Sequence, residues 1–336
     1  MTRICLNGGT NNRGFSMVGR LFIISWLGLF GIVAGASPKA AKKDTKTPGM
    51  GINVTTIADR WDQVLNKYVD AKTGQVDYVG LEGSGKSDLE ALLSFYSALD
   101  LTKLSDDERK ATYINLYNAG MMYNVLRYVR EKEKFTVSDN KFLDVEINNI
   151  KVPGGNLWNG DYRFKLGGHS VTLDHIEHGL IRGDNPSGFP KEMQRFKVKK
   201  LDPRIHSAVN CAAKSCPRVR EKAYRGSNVN EVLDENMKEW LSNSEQFRKI
   251  SQSKLYANSI VYWYYEDFDE HGKKELKLKG AGDYLSQFID DQKNDGKWMK
   301  KHLKDSFNDR NKVFGLKLSN GYSFEYDWKV NDKRQK

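Results

Sequence analysis

The chain has 336 residues, of which 39% are apolar and 11% aromatic, and it carries a formal net charge of +11. A chain of this length and composition can bury a sizeable core, which excludes an intrinsically disordered protein and a small disulfide-dependent scaffold. The sequence has only one uninterrupted apolar run, residues 21–33, and this excludes a polytopic membrane protein, which needs several.

Residues 1–36 have the organisation of a secretory signal peptide. Arg3, Arg13 and Arg20 precede the apolar run, and the small residues Ala34-Gly35-Ala36 follow it. The run is shorter than the ~20 apolar residues that a membrane-spanning helix needs. We therefore expect cleavage after Ala36 and a periplasmic or secreted mature protein without a transmembrane span, with retention of the segment as an anchor as the alternative.

Removal of this leader lowers the net charge only from +11 to +8, so the mature chain is basic. A basic protein attracts anionic neighbours, and the expected partner is an anionic component of the cell envelope. The lysines and arginines are spread along the chain without a nucleic-acid-binding motif, so no nucleic-acid partner is expected. The alternative is a charged surface that serves solubility alone. The oligomeric state is left open.

Composition divides the rest of the chain into three parts. Residues 37–55 are rich in Ala, Lys, Thr, Gly and Pro and lack apolar periodicity, which predicts a flexible linker. Residues 56–332 contain no repeat and no second linker, and are expected to form a single globular domain. Residues 333–336 are predicted to be a basic tail.

Apolar periodicity predicts the helices of this domain. The best defined begins at a capping box, Ser105 with Glu108, and its apolar residues recur over more than five turns. The predicted helices are 57–68, 88–99, 105–126, 173–182 and 229–241.

Segments rich in β-branched and aromatic residues predict the strands. Hairpin strands are expected at 142–152 and 162–171, interrupted by Gly154-Gly155 and Gly167-Gly168, and a further hairpin is expected at Asn320-Gly321. Single strands are expected at 76–79, 205–210 and 260–265. Together with the helices, these strands predict an α+β fold in which helices pack on a small, mostly antiparallel sheet.

Residues 80–87, Gly-Leu-Glu-Gly-Ser-Gly-Lys-Ser, match the phosphate-loop pattern. An exported protein meets few nucleoside triphosphates, and no hydrophobic strand ending in a magnesium-binding aspartate follows the match. Because loops of Gly, Ser and Lys often match this pattern by chance, we interpret the segment as a connector.

The segment from His206 to Pro217 is the most informative for function. It contains both cysteines of the mature chain, Cys211 and Cys216. A neighbouring imidazole can activate a cysteine as a nucleophile, whereas two nearby cysteines in an oxidising compartment can form a disulfide. Both alternatives stay open.

Five motifs follow one another along the chain: Tyr113-Ile-Asn-Leu-Tyr-Asn-Ala119, Leu173-Asp-His-Ile-Glu-His178, the segment from His206 to Pro217, Ser259-Ile-Val-Tyr-Trp and Tyr326-Asp-Trp328. They resemble, in the same order, those of the family called domain of unknown function 547. The resemblance covers roughly residues 57–328 and implies a single domain, but no activity, because the family is named for its missing function. In this family the cysteine is usually followed by Gly, where this chain has Ala212.

The leading hypothesis is a thiol-dependent hydrolase or acyl transferase that acts on an envelope-associated substrate. Cys211 is the predicted nucleophile, and His206 or His178 the predicted base. Glu177 would orient the imidazole, and the Asn115 amide would stabilise the oxyanion. A papain-like or transglutaminase-like arrangement is an analogy based on this shared chemistry.

The alternative hypothesis is a non-catalytic binding or scaffold domain with a Cys211–Cys216 disulfide. In that case Asn115 and its neighbour Asn118 would satisfy buried backbone groups, and Glu177 and His178 would form a surface pair on a helix. Under either hypothesis no cofactor is expected. No metal site is expected either, since no pair of ligand residues has a recognisable zinc spacing.

Overall fold

The computed structural model describes residues 53–132, 134–293, 295–319 and 321–335. The predicted signal peptide and almost all of the predicted linker lie outside these residues. The described residues belong to one compact unit, and α1 begins three residues before the predicted helix start at residue 57. In this part of the chain, no helix has the length and apolar content needed to cross a bilayer.

The predicted α+β fold is confirmed, with helices as its main component. The longest helix, α4, begins as predicted at the capping box. The Ser105 N–H donates to a Glu108 carboxylate oxygen, and the Glu108 N–H donates to the Ser105 hydroxyl. The α-helices are α1 Val54–Tyr68, α2 Tyr78–Glu82, α3 Lys86–Ser97, α4 Asp106–Lys132, α5 Asn140–Leu143, α6 Val229–Ser242, α7 Ser259–Trp263, α8 Tyr265–Lys274, α9 Ala281–Ser286, α10 Gly296–Ser306 and α11 Arg310–Leu318.

The strands of the described residues are short and form three small sheets. Two sheets are antiparallel hairpins, β1–β2 and β3–β4, and the third has the order β5-β6-β7 with β5 antiparallel and β7 parallel to β6. The predicted hairpin within 162–171 is confirmed. The strands are β1 Lys151–Val152, β2 Gly155–Asn156, β3 Phe164–Leu166, β4 His169–Val171, β5 Phe247–Ser251, β6 Lys254–Asn258 and β7 Tyr322–Glu325.

The buried apolar residues form two clusters. The first contains the inward faces of α1 to α4, and α4 is surrounded by protein along most of its length. The second lies between the β5-β6-β7 sheet and helices α7 to α11. Helix α6 connects the two, since Leu233 belongs to the first cluster and Met237 to the second.

The predicted strand 205–210 is wrong. Pro203–Ser207 is a 3-10 helix, because Pro203 is favourable at a first helical position and the Asp202 carboxylate accepts from the Arg204 N–H. The inferred alternation of faces around His206 therefore does not apply.

Three further strand predictions are also wrong, two because of a local helix cap and one because a strand pairs with a distant segment. The predicted strand 260–265 is helical, because the Asn258 side chain caps α7 at the Ile260 N–H. In 76–79, the Asp77 carboxylate caps α2 in the same way. The segment before the hairpin expected around 320–321 is helical, since α11 extends to Leu318, and β7 pairs with β6 instead. Within 142–152, only Lys151–Val152 is a strand, and it forms a hairpin with Gly155–Asn156 at the predicted glycine turn.

The phosphate-loop match is divided between α2 and the start of α3. Its backbone amides are used within the fold, since the Gly83 N–H donates to the Val79 carbonyl and the Gly85 N–H to the Gly80 carbonyl. A phosphate loop needs such amides free to surround an anion. This geometry agrees with its interpretation as a connector.

Residues 326–335, which we call the C-terminal strap, run back across the domain. The predicted basic tail, residues 333–336, begins within this strap, where the Lys333 N–H donates to the Val76 carbonyl at 2.9 Å. Asp332, just before it, is fully buried. The strap is therefore an integral part of the domain.

Candidate functional site

Cys211 and Cys216 are joined by a disulfide, with their Cα atoms 6.3 Å apart. The Cys211 N–H donates to Cys216 Sγ at 2.9 Å. The Tyr326 hydroxyl lies 3.0 Å from Cys211 Sγ and 2.9 Å from Cys216 Sγ. Cys211 is partly exposed, whereas Cys216 is only 6% exposed. The disulfide alternative is therefore the state present in this structure.

The turn that carries the disulfide is held by backbone contacts with the C-terminal strap and by one asparagine. The Asn210 side-chain oxygen accepts from the Ala212 N–H at 2.8 Å, and its amide donates to the Pro217 carbonyl at 2.8 Å. Asn210 thus shapes the turn. The contacts with the strap are Asn331 N–H to Ala212 O, Lys214 N–H to Lys329 O and Ser215 N–H to Asp327 O.

Ala212 has a φ of 63°, in the left-handed region that favours glycine. We expect Ala212→Gly to change the free energy of unfolding little, since relief of about 1–2 kcal/mol of backbone strain offsets the loss of a buried methyl group and the flexibility of glycine. Ala213, equally buried, is not strained. Ala213→Gly should therefore lower the free energy of unfolding by about 1–2 kcal/mol. Urea denaturation tests the difference, and an equal loss in both variants would refute the strain.

Two asparagines one turn apart on α4 have different partners. Asn118 donates to the Ala208 carbonyl at 2.9 Å and accepts from the Asn210 N–H at 2.8 Å. It thereby positions the backbone between His206 and Cys211. Asn115 donates to the Tyr224 carbonyl at 2.8 Å and accepts from the Tyr224 N–H at 3.0 Å. Because these hydrogen bonds with the Tyr224 backbone use the side-chain amide, Asn115 is not assigned to the site.

His206 is buried and paired with Asp267, a residue that the sequence analysis did not assign to the site. His206 Nε2 lies 2.7 Å from Asp267 Oδ2, and its buried Nδ1 has no hydrogen-bond partner among the described residues. Burial lowers the pKa of His206, although Asp267 opposes this effect. The imidazole is therefore neutral at pH 7, with its Nε2–H donating to Asp267 and a lone pair on Nδ1.

Arg182 holds Asp267 from the other side. Its Nε and Nη2 donate to the two carboxylate oxygens of Asp267 at 2.8 and 2.9 Å. Burial favours the neutral carboxylic acid, but the hydrogen bonds from Arg182 and His206 hold the pKa of Asp267 well below its usual range. Asp267 is therefore a charged group that fixes the orientation of His206.

His178, the second predicted base, has neighbours at both ring nitrogens. Its Nδ1 lies 2.7 Å from Arg182 Nη1, and its Nε2 lies 3.5 Å from the Asp174 carboxylate. Because the guanidinium can only donate, Nδ1 must accept, and its lone pair is used. Of the two histidines, only His206 keeps an unpaired nitrogen.

Glu177 is buried on a π-helical segment, His175–Ile181, of a kind that often occurs at functional sites. The Tyr264 hydroxyl donates to Glu177 Oε1 at 2.8 Å, and Tyr117 is a second hydrogen-bond partner. Burial opposes ionisation, but His178 and these tyrosines lower the pKa of Glu177 overall. Its hydrogen-bond partners are thus tyrosines, and Asp267 is the carboxylate that orients His206.

Aromatic side chains connect these groups. The Tyr264 ring stacks on the His206 ring, with centroids 3.9 Å apart and an interplanar angle of 22°. Trp263, which is 39% exposed, lies 4.9 Å from the Tyr326 ring, between centroids. Burial and the nearby Glu177 carboxylate raise the pKa of Tyr326, so its hydroxyl remains protonated. The cysteine pair, Tyr326 and Glu177 therefore belong to one neighbourhood.

Comparison with known families assigns part of this chain. Residues 101–241 match the family described as "Protein of unknown function, DUF547". Within this range the chain is similar to DUF547 proteins. The DUF547 match contains Cys211, His206, Glu177 and both asparagines of α4, whereas Asp267 and Tyr326 lie beyond it. No curated protein and no solved structure matches the chain significantly.

Among the described residues, no group of three or more His, Cys, Asp and Glu side chains is arranged to hold a metal ion.

Proposed function

We propose that this DUF547 protein is a thiol-dependent hydrolase or acyl transferase in which Cys211 is the nucleophile once the disulfide is reduced. The observation that carries the proposal is the buried Asp267–His206 pair, in which the imidazole keeps an unpaired nitrogen. Such a pair, an imidazole oriented by a carboxylate, is the usual activator of a cysteine or serine nucleophile. An envelope-associated acyl compound is the proposed substrate, reached after export.

The proposed reaction begins with transfer of the Cys211 proton to His206 Nδ1. The thiolate attacks the acyl carbon, and a tetrahedral oxyanion forms that the Cys211 N–H can stabilise, because a protonated Cys216 thiol is only a weak acceptor for this N–H. The imidazolium of His206 then returns the proton to the leaving group, which gives a thioester. Water completes a hydrolysis, and another nucleophile completes a transfer.

Tyr326 and Glu177 support the nucleophile and the base in this scheme. The Tyr326 hydroxyl, at 3.0 Å from Cys211 Sγ, donates to the thiolate. Glu177 holds Tyr264 through its hydroxyl, and the Tyr264 ring fixes the plane of His206 by stacking. The proposed roles of these residues are positioning roles.

A chromogenic acyl ester tests the proposal on the protein reduced with a phosphine. We expect a burst of product and a covalent acyl group on Cys211, both absent in Cys211→Ser. Asp267→Asn should slow acylation by about 100-fold or more, because the imidazole loses its orienting charge. Cys216→Ser is the matched control, since it prevents the disulfide and keeps the nucleophile, and it should be active without reductant. An unchanged rate in Cys211→Ser would refute the proposal.

The second candidate is a binding domain in which the disulfide is permanent. The bridged cysteines favour it, because Cys216 is buried and a short disulfide loop is a common structural element of exported proteins. Its partner would be anionic, and the lysines of α10, such as Lys297 and Lys304, would contribute to the contact. Binding to anionic vesicles that is equal in the reduced and oxidised protein, without acylation of Cys211, would favour this candidate.

A further inference from the structure

We infer that Cys211 and Cys216 form an exchange-active redox couple in which thiols attack Cys211 and Cys216 is the leaving sulfur. The inference does not depend on the proposed hydrolase, since it needs no acyl substrate. It rests on the different surroundings of the two sulfurs and on the independent anchoring of the turn that carries them.

The two sulfurs differ in access. Cys211 is partly exposed, whereas Cys216 is 6% exposed. Cys216 contributes to the wall of a cleft of about 560 Å³ that also contains Asn210 and Lys214, but its low exposure leaves little of the residue open to that cleft. Because exchange requires an incoming thiolate to reach the sulfur it attacks, Cys211 is the expected target.

The two sulfurs also differ in their hydrogen-bond donors. The Cys211 N–H points at Cys216 Sγ at 2.9 Å, and the Tyr326 hydroxyl lies at the same distance from this sulfur. A backbone N–H and a hydroxyl stabilise the negative charge of a thiolate. The Tyr326 hydroxyl lies about as close to Cys211 Sγ, at 3.0 Å, so the Cys211 N–H is the donor that distinguishes the two sulfurs. A sulfur whose thiolate is stabilised leaves faster, and this N–H therefore favours Cys216 as the leaving group.

The exchange is balanced in bonds and electrons. A thiolate of a small thiol forms a bond to Cys211 Sγ, the bond between the two cysteine sulfurs breaks, and its electron pair goes to Cys216 Sγ. A second thiolate then attacks the sulfur of the bound thiol and releases the Cys211 thiolate. Two thiols are thereby oxidised to one disulfide, and the protein gains two electrons and, at neutral pH, the protons that its thiolates take up.

The turn has anchors that do not depend on the disulfide. Asn118 holds the backbone before Cys211, and Asn210 and the C-terminal strap hold the backbone after it. These hydrogen bonds remain when the sulfurs separate. The reduced protein can therefore keep the fold of the oxidised one, which a reversible couple requires.

Single-cysteine variants exposed to oxidised glutathione test the inference. In Cys216→Ser, Cys211 should take up one glutathione, at least about tenfold faster than Cys216 does in the matched variant Cys211→Ser, because of its access. Mass spectrometry of the intact protein and of its peptides measures both rates. An equal or faster reaction at Cys216 would overturn the assignment.

The wild-type protein provides a second measurement that needs no variant. Under native conditions, reduced glutathione followed by acid quenching should trap a mixed disulfide on Cys211. Tyr326→Phe should slow the opening of the disulfide by about fivefold, the equivalent of one hydrogen bond. A disulfide that resists excess dithiol until the protein unfolds would show a permanent bridge and refute the couple, whereas failure of the ester assay alone would refute only the hydrolase.

Discussion

Replacement of Asp267 with alanine is expected to lower the free energy of unfolding by about 3–5 kcal/mol. The variant would leave the Arg182 guanidinium without its bidentate partner and the buried His206 without its acceptor. Removing one member of a buried charged pair costs much more than the pair contributes, because the remaining charge stays desolvated. Urea denaturation followed by circular dichroism measures the loss.

The neighbouring residue Glu266 provides the matched control. It lies on the same helix and pairs with Arg310, but both side chains are exposed. Glu266→Ala should change the free energy of unfolding by at most about 0.5–1 kcal/mol, since exposed ion pairs contribute little. A loss below about 1 kcal/mol in Asp267→Ala, or equal losses in both variants, would contradict the central role given to Asp267.

Asn118→Ala is expected to lower the free energy of unfolding by about 2–4 kcal/mol and also to change the reactivity of Cys211. The stability loss follows because the Ala208 carbonyl and the Asn210 N–H lose their partner inside the protein. The reactivity changes because these two groups fix the backbone that leads to Cys211. Denaturation measures the first effect, and the rate of glutathione exchange the second.

Asn115→Ala is the control for this prediction, and it also tests the role that the sequence suggested for Asn115. The substitution removes two equivalent hydrogen bonds, both with the backbone of Tyr224, and should cost a similar free energy. The reactivity of Cys211 should stay within about twofold of the wild type, because Asn115 holds the backbone of Tyr224 and not the backbone that leads to Cys211. A twofold change corresponds to less free energy than one hydrogen bond contributes. Loss of Cys211 reactivity in Asn115→Ala alone would return this asparagine to the site.

The sequence allows the long helices to be predicted because their signals are local. The capping box and the apolar period of α4 lie within the helix itself, and the same is true of α1, α3 and α6. Predictions from local signals are wrong where a helix cap outweighs the strand preference of the residues that follow it. Ile260 and Val261 favour strands, but the Asn258 cap and burial of both side chains make the segment helical.

The candidate site could be predicted only in part, because its members are distant in sequence. Cys211 and His206 are neighbours in the chain, whereas Asp267 is 61 residues from His206. Glu266 and Asp267 are adjacent acidic residues, and nothing local indicates which of them is buried. A helical reading of this segment would have placed them on different faces, so that one would point to the core.

The C-terminal strap has a consequence for how the domain folds. The hydrogen bond between the Asn331 side chain and Asn210 joins residues 121 positions apart, and the strap also contacts Val76. Contacts between such distant residues form slowly, so the strap is expected to dock late. Cys211 and Cys216 are only five positions apart, and their loop can close earlier. Oxidation before docking would hold the turn in a shape that the strap can recognise, and the redox state during folding would then influence how fast the native protein forms.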